Sequence, residues 1–164
     1  MEIEFVNHSS YIVSANNIKL ITDPWIDGYA FYNGWALITP TKFRYTDFKS
    51  ITHIWFSHEH PDHFSPPNIN SIPLEYRQNI TVLYQYTKDK KVVDFCRNAG
   101  FKQVIELKAN WYELAPGFSL YNKPHTDGDS WLALKVNGKT ILNVNDCVFD
   151  TIAELADVKK FALW

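Results

Sequence analysis

The sequence predicts a single α/β domain, spanning residues 1–164, in which mixed β-sheets are covered by helices. Short apolar runs separated by turn signals predict the strands, and one stretch with apolar residues at helical spacing predicts a helix outside them. The composition agrees, because 46% of the 164 residues are hydrophobic and 21% are charged. A chain of this length is typical of one globular domain with a substantial core.

Three strands are predicted near the N-terminus. Residues 3–5 alternate between apolar and charged, and residues 11–13 form an apolar run. The turn signal Asn16-Asn17 then precedes a third apolar run over residues 18–22. An aromatic loop follows over residues 23–40, and we expect the aromatic side chains from Tyr29 to Trp35 to pack rather than to wall a pocket.

The middle of the chain alternates between strands and a helix. Residues 51–56 form a nearly continuous apolar run, typical of a strand that is buried on both faces. Residues 81–86 and 104–107 predict further strands. Between these two strands, residues 88–99 predict a helix that ends at Gly100.

The remainder of the sequence is strand-rich. The turn signal Asn137-Gly138 predicts a β-hairpin. The predicted elements are strands over residues 118–122, 131–136 and 140–144, a short helix over 150–156, and a strand that begins at 161–164.

Composition and charge exclude several classes of protein. The formal net charge is −2, and the basic residues around Asp89 are too few to form a nucleic-acid-binding face. The N-terminus lacks the pattern of a signal peptide, and no apolar run approaches the roughly 20 residues of a membrane span. We interpret Cys96 and Cys147 as reduced thiols. We therefore expect a cytoplasmic protein without a nucleic-acid or membrane partner.

The segment Ser57-His58-Glu59-His60-Pro61-Asp62-His63 predicts a metal site. In an extended chain, side chains at alternate positions point the same way, so His58, His60 and Asp62 share one side. Pro61 suits the first turn of a helix, and His63 then swings to a neighbouring direction. One short segment thereby offers a His pair to one metal, and Asp62 with His63 to another.

The pattern His58-x-His60-x-Asp62-His63 after an apolar strand resembles the signature of the metallo-β-lactamase superfamily. His125 and Asp146 follow in the order of that family's later motifs. Two early segments, Asn7-His8-Ser9-Ser10 and Thr22-Asp23-Pro24-Trp25, resemble a subgroup of the family. That subgroup contains the ascorbate-phosphate lactonases, the N-acyl-phosphatidylethanolamine phospholipases and the CMP-N-acetylneuraminate hydroxylase-like proteins. The resemblance implies a four-layer αββα sandwich.

The resemblance also implies roles for six side chains. His58, His60 and His125 would hold one metal ion, and Asp62, His63 and Asp146 would hold a second, with Asp146 bridging the two. The cofactor would be one or two divalent transition metal ions, with Zn²⁺ favoured and Mn²⁺ or Fe²⁺ as alternatives. Such ions activate water at neutral pH. If only one ion binds, Asp62 would be the catalytic residue that orients the water.

Other polar residues near these motifs receive lesser roles. His8 faces the cleft or is bonded to the core, and the residues leave both readings open. Asp23 precedes Pro24 and is interpreted as a residue that supports the site or forms a turn, not as a ligand. Glu59 should point away from its neighbours and has no ligand role. Asp129, beside His125, is interpreted as a turn residue.

The family pattern ends with one more His, and this sequence has no His after His125. We therefore expect the C-terminal half of the sandwich to be incomplete in this chain. The strands from Trp131 onward are apolar and need a cover. We expect self-association or a completing chain to provide it.

The sequence supports three functional hypotheses. The first is a metal-dependent hydrolase that acts on an ester, lactone or phosphodiester of a small anionic substrate, possibly sugar-derived. The second is a relative of the non-haem iron oxygenases with the same metal ligands. The third is a non-catalytic metal-binding or assembly module, which the missing ligand favours.

Overall fold

The computed structural model describes residues 1–162, and its elements follow the predicted order. In that range the strands are β1 (Glu2–Asn7), β2 (Ser10–Ala15), β3 (Ile18–Thr22), β4 (Tyr29–Ala30), β5 (Trp35–Ala36), β6 (His53–Phe56), β7 (Thr81–Gln85), β8 (Gln103–Leu107), β9 (Trp111–Ala115), β10 (Phe118–Pro124), β11 (Ser130–Val136) and β12 (Lys139–Asn143). The α-helices are α1 (Pro66–Ser71), α2 (Leu74–Arg77), α3 (Lys91–Asn98) and α4 (Ile152–Ala162). None of these helices is long and apolar enough to cross a membrane.

The larger sheet has six strands in the order β1-β2-β3-β6-β7-β8. The first three strands are antiparallel, and β3, β6, β7 and β8 run parallel to one another. Asn16 and Asn17 join β2 to β3 with φ angles of 51° and 63°, as a type I′ turn requires. The prediction from the Asn-Asn pair is therefore confirmed.

The smaller sheet is an antiparallel meander in the order β12-β11-β10-β9. The predicted hairpin is present, and it turns at Asn137 and Gly138 with φ angles of 49° and 82°. In the part of the chain that the structure describes, β12 is the edge strand of this sheet and pairs with β11 alone. Self-association along this edge stays a prediction.

The core of the sandwich lies between the two sheets. Trp55 on β6 is fully buried there, and its indole Nε1 donates to Asn122 Oδ1 on β10 over 2.8 Å. The bond joins the sheets and satisfies two polar groups that burial would otherwise penalise. The apolar residues of this layer are Val13, Leu20, Trp55, Leu83, Leu107, Phe118, Leu120, Leu132, Leu134 and Val136.

Helices cover the outer faces of both sheets, which gives the predicted αββα order. On the larger sheet, Ile69 of α1 and Val93 and Cys96 of α3 pack against strand residues. On the smaller sheet, the Phe161 ring of α4 lies 5.2 Å from that of Trp131 and 4.7 Å from that of Tyr121. Both cysteines are free and buried, in agreement with the prediction of reduced thiols.

The helix predicted over 150–156 begins at Ile152 and continues to Ala162, so the strand prediction at Phe161 is wrong. Val158 and Phe161 are one helical turn apart, and both pack against the smaller sheet. The packing thus favours a helix over an added strand. Helix α4 also covers part of the smaller sheet, which we expected to need a cover from outside this chain. Trp164 lies outside the described residues.

Candidate metal centre

The candidate site forms where several strands end at the same edge of the sandwich. Asp23 follows β3, Ser57 and His58 follow β6, and Asp146 follows β12. Carboxyl ends of neighbouring parallel strands meet along one edge, and ligands of open α/β sheets bind there. The turn between β1 and β2 brings His8 to the same place.

The segment after β6 makes a tight turn that gathers its own side chains. The backbone N–H groups of His63 and Phe64 both donate to the His60 carbonyl, over 3.0 and 2.7 Å. His58 and His60 stay together, as the alternation predicted, with 2.8 Å between His58 Nε2 and His60 Nδ1. Glu59 turns outward, where it lies 3.7 Å from Lys91.

A first group of potential ligands consists of His58, His63 and Asp146, each of which offers an atom within 4.8 Å of the others. Asp146 Oδ2 lies 3.3 Å from His63 Nε2 and 4.0 Å from His58 Nε2. Asp146 is far from the histidines in sequence, so the fold alone brings this carboxylate to them. A carboxylate between two imidazoles matches the donor set of a transition-metal site.

A second group, His8, Asp62 and His63, adjoins the first and shares His63 with it. Asp62 is buried, and its Oδ2 lies 2.9 Å from His8 Nε2 and 3.3 Å from His63 Nε2. His8 adopts a left-handed backbone with φ of 37°, a conformation uncommon outside Gly and Asn. Of the two readings that the sequence left open for His8, the structure places it in the cleft.

Asp23 contacts His63 on the side away from the ligand cluster. Its side chain is fully buried and accepts hydrogen bonds from the Ser57 backbone N–H and the Ser57 hydroxyl, each over 2.8 Å. Its Oδ2 also lies 3.2 Å from His63 Nδ1, the ring nitrogen that faces away from the ligand cluster. Carboxylates in this position orient metal-binding imidazoles and raise their basicity.

Three residues that were not predicted to belong to the metal centre lie against His58. Its Nδ1 is 2.9 Å from the Ser57 hydroxyl, 3.3 Å from Asp129 Oδ1 and 3.5 Å from Asn145 Nδ2. Asp129, interpreted as a turn residue, is therefore part of the centre. Ser57 adjoins the His motif and Asn145 adjoins the predicted ligand Asp146, so both were detectable from the sequence, whereas nothing local marks the contact of Asp129 with His58.

The structure does not bring His125 to the other predicted ligands. Among the described residues, His125 belongs to neither group of potential ligands. Its Nε2 lies 2.7 Å from the Val148 carbonyl oxygen, and its ring packs 5.1 Å from that of Phe149. The backbone after Asp146 thus holds the ring, and the assignment of His125 as a ligand stays a prediction.

Electrostatics at the centre prepare it for a cation. Burial and the neighbouring His63 lower the pKa of His58, which favours the neutral imidazole that metals bind. Burial acts to raise the pKa of Asp62, but contacts with His63 and His8 hold it well below its usual range. Burial acts to lower the pKa of His63, but Asp23 and Asp62 raise it to about 10. The carboxylates thus favour a positive charge at the point where the groups meet, and a metal ion bound by His63 would displace its proton.

Among the described residues, three buried atoms at the centre have no hydrogen-bond partner, namely Asp62 Oδ1, His63 Nε2 and Asp129 Oδ1. An unsatisfied buried polar atom costs roughly 1–3 kcal/mol, so such atoms are rare without a function. Asp62 and His63 belong to the ligand groups, and Asp129 lies beside His58. A divalent transition metal would satisfy the atoms of Asp62 and His63, and the residues present therefore fit such an ion.

The part of the aromatic loop from Tyr29 to Trp35 lies over this centre, whereas Trp25 of the same loop is buried in the core. Phe31 and Trp35 contact each other with 5.1 Å between ring centroids, and they reach His60 and His8 at 6.0 and 6.5 Å, respectively. Trp35 is 55% exposed and Tyr32 is fully exposed. The expectation of a packing role for this loop is wrong, because its rings cover a functional edge.

Comparison with known proteins identifies a family. The family described as the beta-lactamase superfamily domain matches residues 2–148. The chain is 24% identical to the cytidine monophosphate-N-acetylneuraminic acid hydroxylase of Xenopus laevis, over 90% of this chain and 26% of that protein. It is also 24% identical to the protein of that name from Danio rerio, over 88% of this chain and 25% of that protein. The chain spans about a quarter of the length of these curated relatives.

Solved structures share the fold. An isothiocyanate hydrolase from Delia radicum gut bacteria has a TM-score of 0.73 at 16% identity, over 99% of this chain and 68% of that one. A possible metal-dependent hydrolase from Veillonella parvula has a TM-score of 0.76 at 17% identity, over 98% and 68%. CmlA, a diiron β-hydroxylase from Streptomyces venezuelae, has a TM-score of 0.70 at 16% identity, over 96% and 32%. These likenesses confirm the predicted αββα sandwich.

Proposed function

The chain belongs to the metallo-β-lactamase superfamily, and on this premise we propose that it is a metal-dependent hydrolase of an ester, lactone or phosphodiester bond. The observation that carries the proposal is the pair of adjoining ligand groups, which share His63 and include Asp62 and Asp146. Imidazole and carboxylate donors suit Zn²⁺ best and also suit Mn²⁺ and Fe²⁺.

One or two ions would be held by residues of the centre. His58, His63 and Asp146 form one set of donors, with His60 beside His58. Asp62 and His63, with His8 adjacent, form the other. A bound divalent ion supplies Lewis acidity, which lowers the pKa of water and polarises the oxygen of the bond to be cleaved.

The protein's own residues then divide the remaining work. His8 engages Asp62 Oδ2, which leaves Oδ1 either to bind an ion or, if only one ion binds elsewhere, to orient the attacking water and accept its proton. Asp23 fixes the His63 ring through Nδ1, and Ser57 links Asp23 to His58. Both imidazoles are thereby oriented before any ligand arrives.

Hydrolysis assays with the full chain test this proposal. We expect protein loaded with Zn²⁺ or Mn²⁺ to hydrolyse at least one of p-nitrophenyl acetate, a simple lactone and bis(p-nitrophenyl) phosphate. Removing the metal with a chelator should abolish turnover, and adding it back should restore turnover, because the Lewis acid is required. Turnover no faster than that of the free metal, for every substrate and both ions, would contradict the proposal.

A second candidate is a non-haem iron oxygenase, and the names of the relatives favour it. The curated relatives above are hydroxylases, and CmlA is a diiron β-hydroxylase. Imidazole and carboxylate donors also bind iron. The two candidates differ in redox chemistry: an oxygenase would retain iron on purification and consume oxygen with a reductant, whereas a hydrolase would work with Zn²⁺ and without oxygen.

A further inference from the structure

A cavity of about 680 Å³ adjoins the metal centre on the side of the aromatic loop. We call it the aromatic cavity, and its defining side chains are Phe5, His8, Trp25, Trp35 and Ile38. His8 belongs both to this cavity and to the second ligand group, where it contacts Asp62. The His8 ring lies 5.5 Å from that of Trp25 and 6.5 Å from that of Trp35. The cavity therefore begins where the proposed reaction would occur.

The lining of the aromatic cavity is apolar and almost free of charge. None of its eleven lining residues is Lys, Arg, Asp or Glu, and His8 alone has a titratable side chain. A second cavity of about 620 Å³, on the other side of His8, is lined by Asp146 but by no Lys or Arg. A carboxylate or phosphate on the substrate would need cationic or N–H donors. Neither cavity offers a cationic Lys or Arg side chain.

Three large apolar side chains that line the cavity are exposed to solvent. Phe5 is 73% exposed, Trp35 is 55% exposed and Ile38 is fully exposed. Apolar patches of this kind beside polar functional groups mark binding sites, because a ligand that covers them removes apolar area from water. Pockets for small molecules usually combine such a wall with a few polar groups at one end, as His8 and Asp62 provide here.

We propose that the aromatic cavity binds an uncharged alkyl or aryl group of the substrate, next to the bond that the metal centre cleaves. This inference rests on the proposed hydrolase function for its reaction, but the apolar binding site stands on the cavity alone. The sequence led us to expect a small anionic substrate, and this proposal adds an apolar substituent on the side of the aromatic cavity.

Three p-nitrophenyl esters, namely the acetate, the hexanoate and the adipate monoester, test the substrate class with the metal-loaded full chain. We expect kcat/KM for the hexanoate to exceed that for the acetate by about tenfold or more, since each buried methylene contributes about 0.8 kcal/mol, or about fourfold. The matched adipate monoester, which ends in a carboxylate, should lose this gain. Trp35→Ala should lower kcat/KM for the hexanoate by about tenfold and thereby remove most of its advantage over the acetate. Tyr32→Ala, an exposed aromatic of the same loop that does not line the cavity, is the matched control.

A binding assay without turnover separates the two proposals. Neutral N-phenylnaphthylamine should bind to the full chain with a rise in fluorescence, which Trp35→Ala weakens and Tyr32→Ala does not. Probe binding of this kind in a metal-loaded protein that hydrolyses no ester, lactone or phosphodiester supports the apolar site and contradicts the hydrolase. Ester hydrolysis that ignores chain length or prefers the adipate overturns the apolar site and leaves the hydrolase standing. Probe binding that Trp35→Ala does not weaken also overturns it.

Discussion

Replacing Asp62 with Asn should lower hydrolytic turnover by about 10²–10⁴-fold while the fold survives. Asn keeps the shape of the side chain but removes the charge that either binds a metal ion or takes a proton from water. Asp62 is buried between His8 and His63, and its Oδ1 has no hydrogen-bond partner. Neither of these two histidines can supply the negative charge that Asp62→Asn removes. Steady-state kinetics on the most active ester, with circular dichroism to check the fold, measure the effect.

Glu59→Gln is the matched control for Asp62→Asn. Glu59 belongs to the same seven-residue segment, but its exposed side chain lies by Lys91 and takes no part in the centre. We expect its turnover to equal that of the original protein. Near-normal turnover of Asp62→Asn would exclude Asp62 as a ligand or base.

Replacing Asp23 with Asn should weaken metal binding by about 10–100-fold. The Asp23 carboxylate is fully buried, accepts two bonds from Ser57 and faces His63 Nδ1. An amide in its place cannot accept from all of these donors, so the His63 ring loses both its orientation and part of its basicity. Competition for Zn²⁺ against a coloured chelator measures the affinity.

Asp27→Asn is a suitable control for the Asp23 experiment. Asp27 lies in the same loop, but its side chain accepts a bond from the Tyr45 hydroxyl at an exposed position. The Zn²⁺ affinity of the Asp27→Asn variant should equal that of the original protein. If Asp23→Asn also binds Zn²⁺ with the original affinity, Asp23 does not position a ligand.

Local patterns explain how much of the fold was predictable. The Asn16-Asn17 and Asn137-Gly138 turns need left-handed backbone, which those residue types adopt readily, so the sequence marks both hairpins. Alternation and Pro61 likewise predicted the pairing of His58 with His60 and of Asp62 with His63. These features depend on residues that are close together along the chain.

Features that depend on tertiary contacts were not predictable in this way. Asp129 reaches His58 from a different sheet, and nothing beside it in the sequence marks that contact. The helix Ile152–Ala162 packs Phe161 on Trp131, a contact between distant segments that favours the helix over a strand. The aromatic loop has the composition of a core segment, yet the fold places its rings over the metal centre.

The metal content of the purified chain tests the central claim most directly. Elemental analysis of protein prepared without chelator should find about one or two transition metal ions per chain, as the two adjoining ligand groups allow. Less than about 0.2 ion per chain, with no uptake of Zn²⁺, Mn²⁺ or Fe²⁺ on reconstitution, would contradict the metal centre and the hydrolase proposed from it.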